Sequence, residues 1–203
     1  KYVISERNVL TKCDCPFIVK LHYSFQTIEN IYFILDYCPG GDFQYHLKNN
    51  VFEEDEAKFY IAEVIIAIEY LHNINIIYRD LKPENMLIGE DNHILLVDFG
   101  LVKEGIDDNN VTNSFCGTPA YLPPEMINQT GVGKGADIYG IGAVLYQMLS
   151  GTPPFFANEI VTLFNKIKHS KLVLHNYFSE DLKDLLTKLL CKDPKKRFGV
   201  YDK

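Results

Sequence analysis

The side chains best suited to chemistry lie in residues 78–85, which read YRDLKPEN, and in residues 98–100, which read DFG. Transfer of a phosphoryl group needs a carboxylate that accepts the proton of the incoming hydroxyl and hard oxygen atoms that hold Mg²⁺. Asp80 offers the carboxylate, while Asn85 and Asp98, thirteen positions apart, offer the oxygen ligands. The residue types and their spacing therefore indicate a phosphotransfer site.

Two further motifs follow in the order that such a site requires. Residues 117–119 read GTP and residues 124–125 read PE. On its own, an Arg-Asp pair is usually a surface ion pair, and an Asp-Phe-Gly run is usually a turn after a strand. Because all the motifs occur together and in order, the phosphotransfer interpretation is favoured over these structural alternatives.

A short element must hold the two oxygen ligands together. Residues 87–88 and 94–97 are β-type runs, and the residues between them, 89–92, read GEDN. Two such runs around a polar turn predict a β-hairpin. Asn85 and Asp98 would then stand at its two outer ends, close together in space.

Three patterns predict long helices. From Glu54 onward, apolar residues recur at intervals of three and four after a cluster of acidic side chains that suits a helix N-terminus. Residues 136–150 are apolar on nearly every face and stop before Gly151, which predicts a buried central helix. Ser179 is a candidate N-cap for a third helix. The apolar positions of the first helix are Ala57, Tyr60, Ile61, Val64, Ile65, Ile68 and Leu71, and those of the third are Leu182, Leu185, Leu186, Leu189 and Leu190.

Residues 31–36 read IYFILD and predict a buried strand, which the CPGG run at 38–41 ends. The helical patterns all follow this strand. We therefore predict an α+β chain with a mainly helical part preceded by a sheet-containing part.

Composition and charge narrow the class of protein. At 203 residues, with 47% hydrophobic and 23% charged residues, the chain is long enough for one well-buried core. The net charge of −7 argues against a nucleic-acid or anionic-membrane binder and suits a basic peptide substrate. The apolar runs are too short for a transmembrane segment, and five cysteines, an odd number, do not predict a disulfide framework. We expect a cytoplasmic protein.

At these motifs the chain resembles the eukaryotic protein kinases. Tyr78 in place of the usual His, together with residues 115–119, which read FCGTP, is similar to the AGC group. Residues 5–10, 21–27 and 35–37 most resemble the serum- and glucocorticoid-regulated kinase and protein kinase B branch. The resemblance runs from the first residue to about Gly199, so it covers nearly the whole chain.

The resemblance implies a protein-kinase-like fold of three parts. Residues 1–37 would be a remnant of the N-lobe, 38–42 the hinge, and 43–203 a complete, mainly helical C-lobe. The implied activity is transfer of the γ-phosphoryl group of ATP, with Mg²⁺, to Ser or Thr of basic protein substrates.

The resemblance also implies roles for the residues of the motifs. Asp80 would be the catalytic base, and Lys82 would neutralise charge on the transferring group. Asn85 and Asp98 would bind Mg²⁺. Thr118 would steady Asp80 and Lys82 by hydrogen bonds, and the alternative for this hydroxyl is to stabilise a turn. In the supporting structure, Asp137 would anchor the backbone of the catalytic loop, and Glu125 would pair with Arg197 in a buried contact.

Activation is implied by the residues before the FCGTP run. Ser114 occupies the position of a phosphate acceptor for an upstream kinase, although the family usually has threonine there. Arg79 and Lys103 match the basic pocket for that phosphate, and Tyr2 matches its third contact. Thr112 is the runner-up acceptor, and an unmodified loop serine is the alternative.

Further residues match the nucleotide and substrate sites of the family. Asp42 and Glu84 would grip a substrate arginine, with simple solvation as the alternative. Ala120 replaces an acidic residue of the family, which removes one such contact. The residues implied for nucleotide binding are Glu6, Leu35, Asp36, Cys38, Leu87, Val97 and Asp98. The residues implied for the pocket after the phosphoacceptor are Phe115, Pro119 and Leu122.

The family pattern also contains parts that this sequence lacks. Only five residues precede Glu6, so the chain includes neither a Gly-rich phosphate loop nor the strand lysine that would pair with this carboxylate. The regulatory tail of the group is likewise missing after Lys203. The expectation is a Ser/Thr kinase seen without its first strands. The alternative is a non-catalytic kinase-like binding module or an inactive fragment.

Overall fold

The computed structural model describes residues 2–48 and 50–199, and for Tyr2 it describes the backbone only. This part of the chain contains seven α-helices, six short β-strands and 3₁₀ turns at Pro83–Asn85 and Pro119–Tyr121. The helices are α1 (Tyr2–Lys12), α2 (Phe43–Leu47), α3 (Glu54–Asn73), α4 (Pro124–Ile127), α5 (Gly135–Ser150), α6 (Ile160–His169) and α7 (Glu180–Leu189). The strands are β1 (Leu21–Gln26), β2 (Ile31–Leu35), β3 (Ile76–Ile77), β4 (Met86–Ile88), β5 (Ile94–Leu96) and β6 (Lys103–Glu104).

The central helix is α5, as the all-round apolar pattern predicts. Its residues from Gly135 to Leu149 are buried with the exception of Ile138. It ends at Gly151, which adopts a left-handed φ of 79° that glycine tolerates without strain. The helices α3 and α7 pack on α5 around the main hydrophobic core. A second, smaller cluster is formed by Ile77, Ile106, Leu122, Met126, Val132 and Ala136.

The helix α3 begins with a capping box, in which Glu53 and Glu56 bond each other's backbone N–H groups. Its buried face includes Ala57, Ile61 and Leu71, so the amphipathic prediction is confirmed. One assigned position was wrong, because Ile65 is 44% exposed. It lies at the flank of the apolar stripe, where periodicity alone does not say which neighbour covers it.

Strands β4 and β5 pair antiparallel, with Met86 opposite Leu96 and Ile88 opposite Ile94. The predicted hairpin is therefore confirmed, and the residues just outside it also bond, Val97 N–H to Asn85 O at 3.0 Å. Strand β2 exists as predicted but is not buried, because Ile31 and Ile34 are 50% and 44% exposed. Within the described residues it pairs only with β1, and an apolar run does not reveal what covers it.

Two expected contacts of the helical region are present. Ser179 caps α7 by accepting from Leu182 N–H at 3.2 Å, as predicted. Arg197 and Glu125 form the expected buried pair through two parallel bonds of 2.6 and 2.9 Å. In the described part of the chain, no helix combines the length and apolar character needed to cross a bilayer.

Candidate active site

The loop that carries Asp80 is hydrogen-bonded to the buried helix α5. Asp137, in the first turn of α5, accepts from the backbone N–H groups of Tyr78 at 2.9 Å and Arg79 at 2.7 Å. Its Oδ2 also bonds His72 of α3 at 2.8 Å. A carboxylate that is 1% exposed thus holds two consecutive amides, including that of Arg79 with its left-handed φ of 71°. The expectation that Asp137 anchors this loop is confirmed.

Three side chains meet at the Asp80 carboxylate. Lys82 Nζ donates to Asp80 Oδ2 at 2.7 Å, and Thr118 Oγ1 donates to Asp80 Oδ1 at 2.8 Å. Lys82 Nζ also reaches Thr118 Oγ1 at 2.9 Å, which closes the triangle. Each carboxylate oxygen of Asp80, which is 6% exposed, is therefore fixed by its own donor. A buried, oriented carboxylate beside an ammonium group can accept a proton from a hydroxyl and compensate the charge of a nearby anion.

Asn85 and Asp98 stand at the outer ends of the β4–β5 hairpin. Asn85 Nδ2 donates to the backbone oxygen of Asp80 at 3.0 Å and to its Oδ2 at 3.2 Å, so the amide oxygen is the atom left to face a cation. Asp98 has a left-handed φ of 57°, and its Oδ1 accepts from Gly100 N–H at 3.2 Å. An amide oxygen and an exposed carboxylate are hard oxygen ligands, so this donor set fits Mg²⁺.

Tyr78 connects the two sides of this arrangement. Its hydroxyl donates to the backbone oxygen of Val97, next to Asp98, and its ring meets Phe99 edge-on at 5.4 Å. Burial raises the pKa of Tyr78 well above its usual value, and the charges of Asp80 and Asp98 raise it further. The hydroxyl therefore keeps its proton and remains a donor.

Glu6 of α1 lies beside the same motif. Burial raises the pKa of its carboxyl, and the Asp98 charge adds to the shift, while a hydrogen bond from Phe99 N–H lowers it. The structure thus brings Glu6 together with Asp98, a proximity that their separation in the sequence did not disclose.

The candidate nucleotide residues lie along the end of β2 and the hairpin. Leu35 is the last residue of β2, and Asp36 after it accepts from Lys20 N–H at 2.9 Å and bonds His22 at 2.7 Å. Partial burial acts to raise the pKa of Asp36. The hydrogen bond from Lys20 N–H and, after it, the contact with His22 outweigh this effect, so the pKa is lowered. Burial raises the pKa of the Cys38 thiol.

The segment 38–42, which is the candidate hinge, is attached directly to the hairpin strand β4. Gly40 N–H donates to Ile88 O at 3.1 Å, and Ile88 N–H donates to Gly41 O at 3.0 Å. A side chain at Gly40 would meet Ile88 at 2.6 Å, so glycine is needed for this close approach. Leu87 in β4 and Val97 after β5 are both half-buried beside this attachment.

The candidate phosphate pocket is partly assembled. Arg79 Nε donates to Leu101 O at 2.7 Å, and its second amino group reaches Val102 O at 3.3 Å. Its Nη1 is buried and has no partner among the side chains that the structure describes. Lys103 is exposed in β6. Ser114 is exposed and bonds the hydroxyl of Thr112 at 3.2 Å. The side chain of Tyr2 lies outside the described part.

The candidate substrate residues differ in their exposure and in their partners. Asp42 caps α2 by accepting from Tyr45 N–H at 2.9 Å, which engages one of its two carboxylate oxygens. Glu84 is exposed. The burial of Tyr121 raises the pKa of its hydroxyl, and the charge of Glu84 raises it further. Of the residues expected to form the apolar pocket, Phe115 is 52% exposed and Pro119 is exposed. Leu122 is only 2% exposed and lies in the smaller buried cluster.

One polar contact near this surface was not anticipated from the sequence. Tyr121 donates to Gln147 Oε1 at 2.5 Å, and Gln147 Nε2 donates to Gln44 Oε1 at 3.1 Å. Gln147 is 4% exposed and lies in the otherwise apolar helix α5. The sequence does contain a signal for this contact, because a glutamine within an apolar, buried helix requires hydrogen-bond partners. The sequence did not identify those partners.

Comparison with known proteins agrees with this geometry. The family model described as "Protein kinase domain" matches residues 1–202. A RAC family serine/threonine-protein kinase homolog of Dictyostelium discoideum is 47% identical over 201 residues, which cover 98% of this chain and 45% of that protein. The serine/threonine-protein kinase Sgk1 of Danio rerio is 48% identical, and that of Homo sapiens 47%, each over 204 residues, 100% of this chain and 47% of the relative. The chain thus spans about half the length of these curated relatives.

Proposed function

Since this chain belongs to the protein kinase family and is similar to its AGC members, we propose that the protein carrying it transfers the γ-phosphoryl group of ATP to serine or threonine of basic protein substrates. The observation that supports this most directly is the hydrogen-bonded arrangement of Asp80, Lys82 and Thr118 beside Asn85. In the proposed division, residues 38–42 link an N-lobe part to the helical C-lobe.

Asp80 accepts the proton of the substrate hydroxyl. Thr118 and Lys82 each hold one oxygen of its carboxylate, so the carboxylate keeps one orientation toward the hydroxyl. Lys82 also keeps a positive charge within 2.7 Å of the base, where it compensates the negative charge that develops on the transferring group.

Asn85 and Asp98 would hold the metal ion of the reaction. When bound, Mg²⁺ supplies positive charge to the phosphate oxygens. Asn85 is fixed for this task because its Nδ2 is engaged by Asp80, which leaves Oδ1 as a ligand. The Tyr78 and Gly100 hydrogen bonds on either side of Asp98 keep its carboxylate at the other end of the hairpin.

The nucleotide base is bound at the hinge. The backbone of Asp36 and Cys38 meets adenine, Leu35 lies at the entrance, and Leu87 and Val97 form the apolar floor. Support for this assignment comes from the attachment of the hinge to β4 by two backbone hydrogen bonds, which brings Leu87 to the same surface. Glu6, next to Asp98, borders the phosphate side.

An upstream kinase activates the protein at Ser114. The supporting observation is the buried Nη1 of Arg79, a guanidinium N–H without a partner in the described residues. A phosphate carries about −1.5 to −2 charges and three acceptor oxygens, so it can satisfy this donor and recruit Lys103. Substrate arginine is bound by Asp42 and Glu84, whose carboxylates suit a guanidinium group.

The test is Asp80→Asn in the protein that carries this chain, with Asp91→Asn in the exposed hairpin turn as the matched control. The amide cannot accept the proton, so we expect turnover to fall by a factor of about a hundred or more in a protein that still folds and unfolds cooperatively. Turnover is measured as ADP formation with an arginine-containing serine peptide. If Asp80→Asn kept more than about a tenth of wild-type turnover, the assignment of the base would be wrong. A wild-type protein with no ADP formation at all would favour the non-catalytic binding module.

A further inference from the structure

A cleft of about 260 Å³ opens between α3, α5 and α7, and none of the candidate active-site residues lines it. Its floor is aliphatic and comes from all three helices. The half-buried Leu185 forms a wall on the α7 side. The floor residues are Ile61, Leu145, Leu149 and Leu182. A pre-formed recess with an apolar floor is suited to receive an apolar side chain.

The rim of this α3–α5–α7 cleft is held rigidly at one point. The carboxylate of Glu54 in α3 accepts from both the backbone N–H and the hydroxyl of Ser179, each at 2.7 Å. Ser179 in turn caps α7. The N-termini of α3 and α7 are thereby fixed next to each other, so a partner would not have to order this edge when it binds.

The starts of α3 and α7, which line the cleft through Glu54, Lys58 and Asp181, concentrate much of the molecule's negative charge. Residues 53–58 read EEDEAK and residues 180–184 read EDLKD, so together they hold seven acidic and two basic residues. They account for five of the seven net negative charges of the chain. The favourable effect of acids at a helix N-terminus explains their presence in the first turns. It does not explain why two such turns border an apolar cleft.

The basic residues of the rim do not neutralise it. Lys58 bonds Asp55 at 3.0 Å, and Lys183 bonds Glu180 at 2.8 Å, within single turns of helix. The side chains of Asp55 and Glu180 are 94% and 89% exposed, and ion pairs at such positions contribute little free energy. Cations of a partner can therefore replace these lysines at small cost.

Tyr177 extends the apolar surface beyond the cleft. It is 65% exposed, and its hydroxyl donates to the backbone oxygen of Leu149 at 3.3 Å, next to the floor. An exposed aromatic ring that is fixed at its polar end offers an apolar surface, and such rings also attract guanidinium groups.

From these observations we propose that the α3–α5–α7 cleft is a docking surface for a basic segment of a partner protein. One large apolar side chain of the segment enters the cleft, and the arginines that flank it contact Asp55, Glu180 and Asp181. The negative charge of the rim disfavours other occupants. A second copy of this acidic chain, a nucleic acid or an anionic membrane would each bring more negative charge to it.

The proposal is tested with a fluorescein-labelled peptide of sequence GARRLRRAG, whose affinity for the protein is measured by fluorescence anisotropy. We expect saturable binding that weakens by a factor of about ten or more when leucine becomes alanine, when the arginines become glutamate, or when salt is raised. In the protein, Glu180→Lys with Asp181→Lys should weaken binding to a similar extent, because both residues are proposed contacts for the arginines. Both are exposed, so the fold should tolerate the change.

A control pair separates the cleft from other sites. Glu29→Lys with Glu90→Lys makes the same change of charge in exposed turns away from the cleft. It should leave the affinity within about twofold of wild type, with melting temperatures recorded for every variant. An equal loss in the control pair, equal affinity for the glutamate peptide, or no saturable binding up to millimolar peptide would each overturn the docking surface. Because peptide binding is read without catalysis, these outcomes are independent of whether the protein is a kinase.

Discussion

Tyr78 illustrates how much a single hydroxyl group can determine. Asp98 adopts a left-handed backbone conformation that is unfavourable for a residue with a side chain. The Tyr78 hydroxyl bonds the backbone oxygen of Val97 before it, and the Tyr78 ring packs against Phe99 after it. The surroundings thus hold both neighbours of Asp98 in place, which maintains the strained conformation that presents its carboxylate.

Ser114 is the residue at which a small covalent change should have a large effect. In the unmodified chain its hydroxyl bonds Thr112, while Arg79 Nη1 has no partner in the described residues. We expect Ser114→Ala to lower the activity of protein treated with its upstream kinase by a factor of about ten or more, because no phosphate can then reach Arg79. Thr112→Val is the matched control and should retain activity. Full activity of Ser114→Ala, together with active wild-type protein that has no phosphate at Ser114 by mass spectrometry, would remove the hypothesis.

Glu6 gives a prediction about pH. Its pKa is raised in the folded chain, so the folded state binds the proton more tightly than the unfolded state does. Ionisation therefore destabilises the fold as the pH rises from the unfolded pKa of about 4.3 through the raised folded pKa. For the 203-residue chain, we expect Glu6→Gln to melt at a higher temperature than wild type at neutral pH. The difference should vanish below pH ~4. Thermal melts across this range check it, and a constant or inverted difference would contradict the assignment.

At the scale of elements, the contact from Tyr121 through Gln147 to Gln44 joins α5 and α2 to the end of the proposed activation segment, which runs from Asp98 to Glu125. Each hydrogen bond fixes the direction of the next, because Tyr121 donates to the oxygen of Gln147, which leaves its amide N–H groups for Gln44. The chain of bonds links the segment next to Thr118 with the helix that Asp42 caps. It therefore couples the catalytic side of the site to its proposed arginine contact.

A double-mutant cycle tests this coupling. Gln147→Leu leaves the Tyr121 hydroxyl without an acceptor, so we expect a loss of about 1–3 kcal/mol in unfolding free energy and a higher KM for the peptide. Adding Tyr121→Phe removes the stranded hydroxyl and should restore part of that loss, so that the double variant costs less than the two single ones together. Denaturant unfolding and steady-state kinetics provide the measurements. Simple additivity would show that the two residues do not act as one unit.

The elements differ in how far the sequence predicts them. The helices α3, α5 and α7 and the β4–β5 hairpin follow from periodicity, caps and turn residues, which are local signals. The exposure of Ile31, Ile34 and Ile65 and the burial of Leu122 depend instead on which element lies above each residue. Hydrophobic pattern does not carry that information. The grouping around Asp80 was predictable only because its motifs are distinctive, whereas the partners of Gln147 come from two distant segments.

At the scale of the whole molecule, the buried pair of Glu125 and Arg197 fastens the activation segment to the end of the helical region. Arg197 also donates to the backbone oxygens of Gly135 and Cys191. The guanidinium group thus bonds the Glu125 carboxylate and two backbone carbonyl groups at once. Taking such charges out of water offsets much of their attraction, but leaving one of them unpaired is costly.

This predicts an asymmetry between single and double substitutions. Arg197→Met alone leaves a carboxylate that is 3% exposed without its partner, so we expect a loss of about 3–5 kcal/mol in unfolding free energy. Glu125→Leu together with Arg197→Met should regain most of it, because no buried charge remains. Urea unfolding checks both variants, with Lys196→Met as an exposed control. A double variant as unstable as Arg197→Met would mean that the pair, rather than the absence of a stranded charge, supplies the stability.

The position of this pair along the chain has a consequence for biosynthesis. Glu125 leaves the ribosome 72 residues before Arg197, which at 5–20 residues per second amounts to roughly 4–14 s. During that interval the catalytic loop and α5 can already fold, but the carboxylate that fastens the activation segment lacks its partner. A nascent chain should therefore acquire a protease-resistant activation segment only after Arg197 has emerged. The proposed substrate surface should therefore take its final shape only when the helical region is complete. A chain stalled before Arg197 should not have this surface.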